Sequence, residues 1–204
     1  MDLSRPFGAL ASGVESDVLV ALAGSEAQRS GRELARLSGR SPTGVQHVLD
    51  RLVEEGLVHR VEAGRAFLYS LNREHLLAPA VEAMAGVRWE LVQRLRTFIG
   101  RWNLPTLHAS LFGSAARGEG NAASDIDLLV VRPKAIDPED GQWRRQLDEL
   151  AERVLAWTGN HAGIVELSES DVSRVRKDRP PVAVAVAIEG VDLVGVPLRK
   201  LIGR

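Results

Sequence analysis

The sequence predicts an α+β chain built in two parts. Three observations carry that expectation: a run of short, capped helices that closes in a hairpin, a change near Pro105 to strands alternating with helices, and an ordinary globular composition. Hydrophobic residues make up 45% of the 204 positions and charged residues 26%, which supplies a core and argues against disorder. No apolar run approaches a membrane span and no secretion signal is legible at the N-terminus, so a cytoplasmic location is expected. Zero cysteines exclude disulfides, thiolate chemistry and a zinc finger, so a metal would sit on oxygen or histidine. A net charge of -1 gives no overall attraction to nucleic acid; such binding would rest on a local patch.

The first part, residues 1–72, is read from its punctuation. A helix near Asp17 to Leu22 stops at Gly24. Ser30 opens a second as N-cap, with Glu33 three residues on to complete a capping box, and Gly39 ends it. Ser41 and Pro42 start a third, where the missing proline N–H does no harm; Val45, Val48, Leu49, Leu52 and Val53 form its apolar face, and Gly56 ends it. Leu57 to Val61 and Ala66 to Leu71 read as two strands joined around Gly64. Helix, helix, helix, hairpin is the order of a winged helix-turn-helix. Residues 73–103 keep a helical rhythm, broken or bent at Pro79 and Gly86, and are expected to form a helical linker.

The second part, 104–204, alternates strand candidates with a clear amphipathic helix over Gln142 to Trp157. The strands are expected at Leu107 to Phe112, Ile126 to Val131, Gly163 to Leu167, Val182 to Ile188 and Val191 to Val196. Its polar residues concentrate between Leu111 and Val131. Gly113 and Ser114 end one strand where a helix begins, and free backbone N–H groups there suit a phosphate. Asp125 and Asp127 are two apart on the next strand, so both carboxylates share a face. Two adjacent aspartates repel unless a cation joins them, and a hard ion such as Mg2+ is commonly shared between carboxylates and substrate phosphates. That pairing of phosphate and metal is the chemistry of phosphoryl or nucleotidyl transfer.

Gly113-Ser114, ten residues, then Asp125-x-Asp127, with Ala116, Arg117 and Gly118 between, resembles the minimal nucleotidyltransferases of the DNA polymerase β superfamily over about 100 residues from Pro105 onward. The resemblance implies a mixed β-sheet with helices on one face, a nucleoside triphosphate donor, and two Mg2+ ions, with Mn2+ as a substitute, on Asp125, Asp127 and a third carboxylate. It implies transfer of a nucleoside monophosphate to a hydroxyl of a protein, a small molecule or a nucleic acid. Glu166 is the expected third carboxylate, with Asp192 as the fallback. Relatives often carry a basic residue where this chain has Ala115; Arg117 either supplies that charge to a phosphate or pairs with Glu119.

The second and third helices resemble the helix-turn-helix of bacterial winged-helix transcription regulators, which implies DNA binding with the third helix in the major groove. Arg40, Ser41, Thr43, Gln46, His47, Arg51 and, in the wing, Arg65 are the expected contacts, beside a basic surface that includes Arg29, Arg32 and Arg36. Three functions follow: a transferase directed by its winged helix, a transcription regulator that senses nucleotide without turnover, or an antitoxin-like module whose target is a partner protein. A homodimer is compatible with each.

Overall fold

The computed structural model describes residues 1–3, 5–9, 13–178, 186 and 189–203, and the chain divides into two compact units, one running to Val87 and the other from Arg88. In the first, a 3-10 turn at Pro6–Ala9 precedes α1 (Val14–Ala23), β1 (Arg29–Ser30), α2 (Gly31–Ser38), α3 (Pro42–Glu54), β2 (Val58–Ala63), β3 (Ala66–Leu71) and α4 (Ala78–Ala85). The caps are those the sequence sets. Ser30 Oγ accepts from Glu33 N at 3.2 Å and Ser41 Oγ from Gly44 N at 3.2 Å, each satisfying a backbone donor that the helix itself leaves open. Gly39 takes a left-handed φ of 65° to end α2. The side chain of Glu33 goes to Arg29.

Val18, Leu22, Leu34, Val45, Leu49, Leu52, Leu57 and Tyr69 close a single core across the three helices and the hairpin, and Ala78 and Val81 extend it to α4. β2 and β3 pair antiparallel from Val58–Leu71 to Ala63–Ala66, and the two-residue β1 adds to the far edge of β3, an element too short for periodicity to reveal. Pro79, expected to break or bend a helix, instead sits in the first turn of α4, where no N–H is missed; the break falls at Gly86.

In the second unit α5 (Val87–Ile99) leads to β4 (His108–Phe112), α6 (Gly113–Arg117), β5 (Ile126–Arg132), α7 (Gly141–Thr158), β6 (Ala162–Ser168), α8 (Glu169–Asp178), β7 (Val191–Gly195) and α9 (Leu198–Leu201). The strands form one mixed sheet in the order β6-β5-β4-β7, parallel between β5 and β6 and antiparallel elsewhere. The strand expected over Val182 to Ile188 lies outside the described residues apart from Val186. One face of β5 carries Ile126, Leu128 and Val130. α7, which buries Trp143, Leu147, Leu150 and Val154, meets that face where Trp143 Nε1 donates to Glu166 beside Val130, and Asp140 caps its start. The opposite face carries Leu129, which clusters with Val186 and Leu198. No helix among the described residues is long and apolar enough to cross a membrane.

Candidate functional site

Residues paired across neighbouring strands point to the same face of a sheet. Asp127 pairs with Phe112 on β4 and Gly163 on β6, so its carboxylate stands over a lane with a glycine beside it. Asp125 immediately precedes β5, two residues back, and faces the same way. A Cβ built on Gly163 would lie 3.1 Å from Asp127 Oδ1 and 3.8 Å from Asp125 Cβ. On the other side, Gly113 has φ +67°, and a Cβ there would lie 2.2 Å from Asp127 Oδ2. The Asp127 carboxylate is thus wedged between two glycines, and any side chain at Gly113 would collide with it.

Around this wedge the backbone is tied down from several directions. Arg88 donates Nε to Ala115 O at 3.0 Å and Nη2 to Ala116 O, which ties down the last turn of the short α6. Glu119 N returns to Ser114 O at 2.9 Å, closing the turn over Gly118. Asn160, buried after α7, donates Nδ2 to Asn121 O at 3.1 Å and Ser124 O at 2.7 Å and so fixes the loop that delivers Asp125. Arg88, Asn160 and Gly163 escape a reading of the sequence because each acts through a partner at least 27 residues away or on a neighbouring strand.

Burial, and then the neighbouring Asp125 carboxylate, push the Asp127 carboxyl above its ordinary range, while the charge of Arg117 pulls it partly back. Such a pair suits a shared hard cation, and the chemistry of the two oxygen donors fits Mg2+ or Mn2+. Arg117 itself donates to Glu119 at 2.7 Å and to Glu189 at 3.1 Å. The ion pair with Glu119 weighed from the sequence is present.

Glu166 is not brought to the aspartates. It pairs in register with Val130, on the face of the sheet that packs against α7. There Arg132 Nε donates to Glu166 Oε1 at 2.7 Å and Trp143 Nε1 to the same oxygen at 3.1 Å, with Arg144 3.5 Å from the other oxygen. On the aspartates' face β6 offers Gly163, Val165 and Leu167, and none carries an oxygen ligand. The expectation of Glu166 as third ligand therefore fails on strand parity: it is an odd number of residues from Gly163. Asp192 shares the aspartates' face through its pairing with Ser110, but it stands on β7, beyond β4, 4.0 Å from His108 Nε2. Among the described residues no cluster of three acidic or histidine side chains is poised to hold a metal.

In the first unit, α3 exposes Thr43, His47, Asp50 and Arg51, with Ser41 at its cap and Arg65 in the hairpin turn beside Gly64 at φ 63°. Carboxylates share this surface. Arg51 reaches Glu15 at 3.3 Å, Arg40 reaches Asp17 at 2.6 Å, and Gln46 donates to Asp50 at 2.9 Å and to Tyr69 at 3.2 Å.

Residues 12–66 match the family model described as MarR family, and residues 90–162 match the one described as a nucleotidyltransferase domain. The second match spans the Gly-Ser turn and both aspartates and stops short of Glu166. No match is found among curated proteins. Among solved structures the chain is similar to a predicted DNA-binding transcriptional regulator from E. coli, at 27% identity over 42% of this chain and 83% of that one, TM-score 0.33. It is also similar to a MarR-family transcriptional regulator from a Rhodococcus species, at 21% identity over 50% and 71%, TM-score 0.33. A third likeness is to the toxin-antitoxin MntA-HpeT, at 18% identity over 54% and 79%, TM-score 0.37.

Proposed function

We propose that this chain, in which a winged helix of the MarR family is joined to a nucleotidyltransferase domain, binds DNA through the first and holds a magnesium-bound nucleoside triphosphate through the second. The observation that carries the nucleotide site is the seat of Asp127 between Gly113 and Gly163, with Asp125 on the same face. Asp125 and Asp127 would hold Mg2+, or Mn2+ in its place, and the ion would neutralise the triphosphate oxygens. With Glu166 committed to Arg132 and Trp143, the pair would take one ion rather than two, and the nucleotide would serve as a signal to the DNA-binding half. Nucleotidyl transfer to a hydroxyl acceptor is the second reading, favoured by the match of residues 90–162 and by Asp192 on the aspartates' face.

Calorimetric titration with ATP, GTP, CTP and UTP tests the site. Binding that needs Mg2+, disappears in EDTA and weakens by more than about tenfold in Asp127→Asn is expected. No binding of any of the four to the wild type removes the proposal. Labelled nucleotide that becomes covalently attached to the protein or an acceptor, and fails to do so in Asp127→Asn, replaces sensing by transfer. For the DNA half, duplex affinity should fall steeply with salt and further in Arg51→Ala. Absence of salt-sensitive binding removes that half.

A further inference from the structure

The first unit carries a cleft of about 650 Å3 between the C-terminal parts of α1 and α2. Four guanidinium groups line it, from Arg5, Arg29, Arg36 and Arg40, against one lining carboxylate, Asp17. Asp17 is shared: Arg5 grips both its oxygens at 3.1 Å, and Arg40 Nε donates to it at 2.6 Å. Arg29 gives its Nη1 to Glu33, and its Nε is buried without a partner. Arg36 is exposed, and no carboxylate among the described residues pairs with it. Among the described residues the four cations face Asp17 and Glu33, with Asp2 adding its charge beside Arg5, so the arginines outnumber the carboxylates.

A net positive lining with an unpartnered buried Nε suits a phosphate monoester, which carries about -1.5 to -2 at neutral pH and offers its oxygens to the planar fork of arginine. Val20 and Leu37 also line the cleft, so the apolar body of an ester has a surface to rest on. The volume falls within the range of small-molecule sites, about 300–1,000 Å3. No lining residue comes from α3 or the β2–β3 hairpin; Arg40 is the one expected DNA contact that also lines the cleft.

We propose that this cleft is a phosphoryl-binding site in which Arg29 and Arg36 take up a doubly charged phosphate. The phosphate would come from a free phosphorylated small molecule or from a nucleic-acid backbone. The test uses the full chain in EDTA, which silences the aspartate site, with phenyl phosphate followed by calorimetry and a labelled DNA duplex followed by fluorescence anisotropy. Arg36→Gln and Arg29→Gln are each expected to weaken the phosphate-bearing ligand by about tenfold, the value of one lost charge-assisted contact. Arg73→Gln, which removes the same charge elsewhere in the first unit, is expected to leave it unchanged. A loss confined to phenyl phosphate assigns a free ester; a loss of duplex affinity assigns the backbone. Wild-type affinity for both ligands in both variants, or binding of neither ligand by the wild type, overturns the proposal. Arg36 is exposed and pairs with no carboxylate among the described residues, so its substitution leaves the protein intact for the measurement.

Discussion

Asp127 sets the most stringent demand on any single residue, because its carboxylate occupies the space that a side chain at Gly113 would need. Gly113→Ala would combine a left-handed φ with a 2.2 Å contact, and one or the other must relax. A stability loss of about 1–3 kcal/mol is expected, together with loss of Mg2+-dependent nucleotide binding. Chemical denaturation and calorimetry read the two effects; an alanine variant that binds nucleotide as the wild type does would show that the wedge is dispensable. His108 sets a second residue-scale demand. It is fully buried, its Nδ1 meets Val196 O at 2.9 Å, and burial lowers its pKa although the Val196 carbonyl and Asp192 pull the other way. The unfolded chain therefore takes up a proton near the ordinary value of 6.5 while the native state does so only at lower pH. Stability is expected to be unaffected by this group above that value, to fall as pH drops below it, and to level off under the native pKa. Urea titrations between pH 7.5 and 5 would read it, and His108→Gln should flatten that limb by comparison.

At the scale of elements, β6 decides what kind of site this is. Its alternation sends Gly163, Val165 and Leu167 toward the aspartates and Glu166 toward α7, where Arg132 and Trp143 occupy it. Both partners of that ion pair are largely shielded, with side chains 10% and 20% exposed. Removing the charge from one leaves the other uncompensated. Glu166→Gln is therefore expected to cost about 2–3 kcal/mol of stability and to leave Mg2+-dependent nucleotide affinity where it was. The opposite result, intact stability with lost nucleotide binding, would return Glu166 to the site. The loop from Gly118 to Asp125 is likewise an element-scale matter: its tip is closed by Asn121 and Ser124 and clamped by Asn160 from the end of α7.

At the scale of the whole molecule, each unit has its own core: the helix and hairpin cluster around Val18, Leu34 and Leu49 in the first, the sheet and α7 in the second. Each has a buried apolar cluster of its own, so each is expected to fold when expressed alone. A fragment from Arg88 onward should bind Mg2+-nucleotide with the affinity of the full chain, and one ending at Val87 should keep a cooperative thermal transition. A fragment from Arg88 that is unfolded by circular dichroism would contradict that division.

The sequence by itself determined the local geometry. Helix caps at Ser30 and Ser41, the two hairpin strands, four of the five expected sheet strands and the shared face of Asp125 and Asp127 all follow from interactions within a few residues, which spacing records directly. The family matches agree with that local reading. Its hairpin and strand boundaries shifted by only a residue or two, since the ends of elements depend on where pairing stops. What the tertiary structure alone decided is the far side of the site. Whether Glu166 meets Asp127 depends on the register between β5 and β6, and a shift of one residue sends every side chain to the other face. The sequence carries no record of that register, because it is set by α7 closing over Ile126, Leu128 and Val130 and drawing Glu166 with them. The same holds for Arg29, Arg36 and Arg40, which read as a basic surface in the sequence and become a cleft only when α1 brings Asp17 against them.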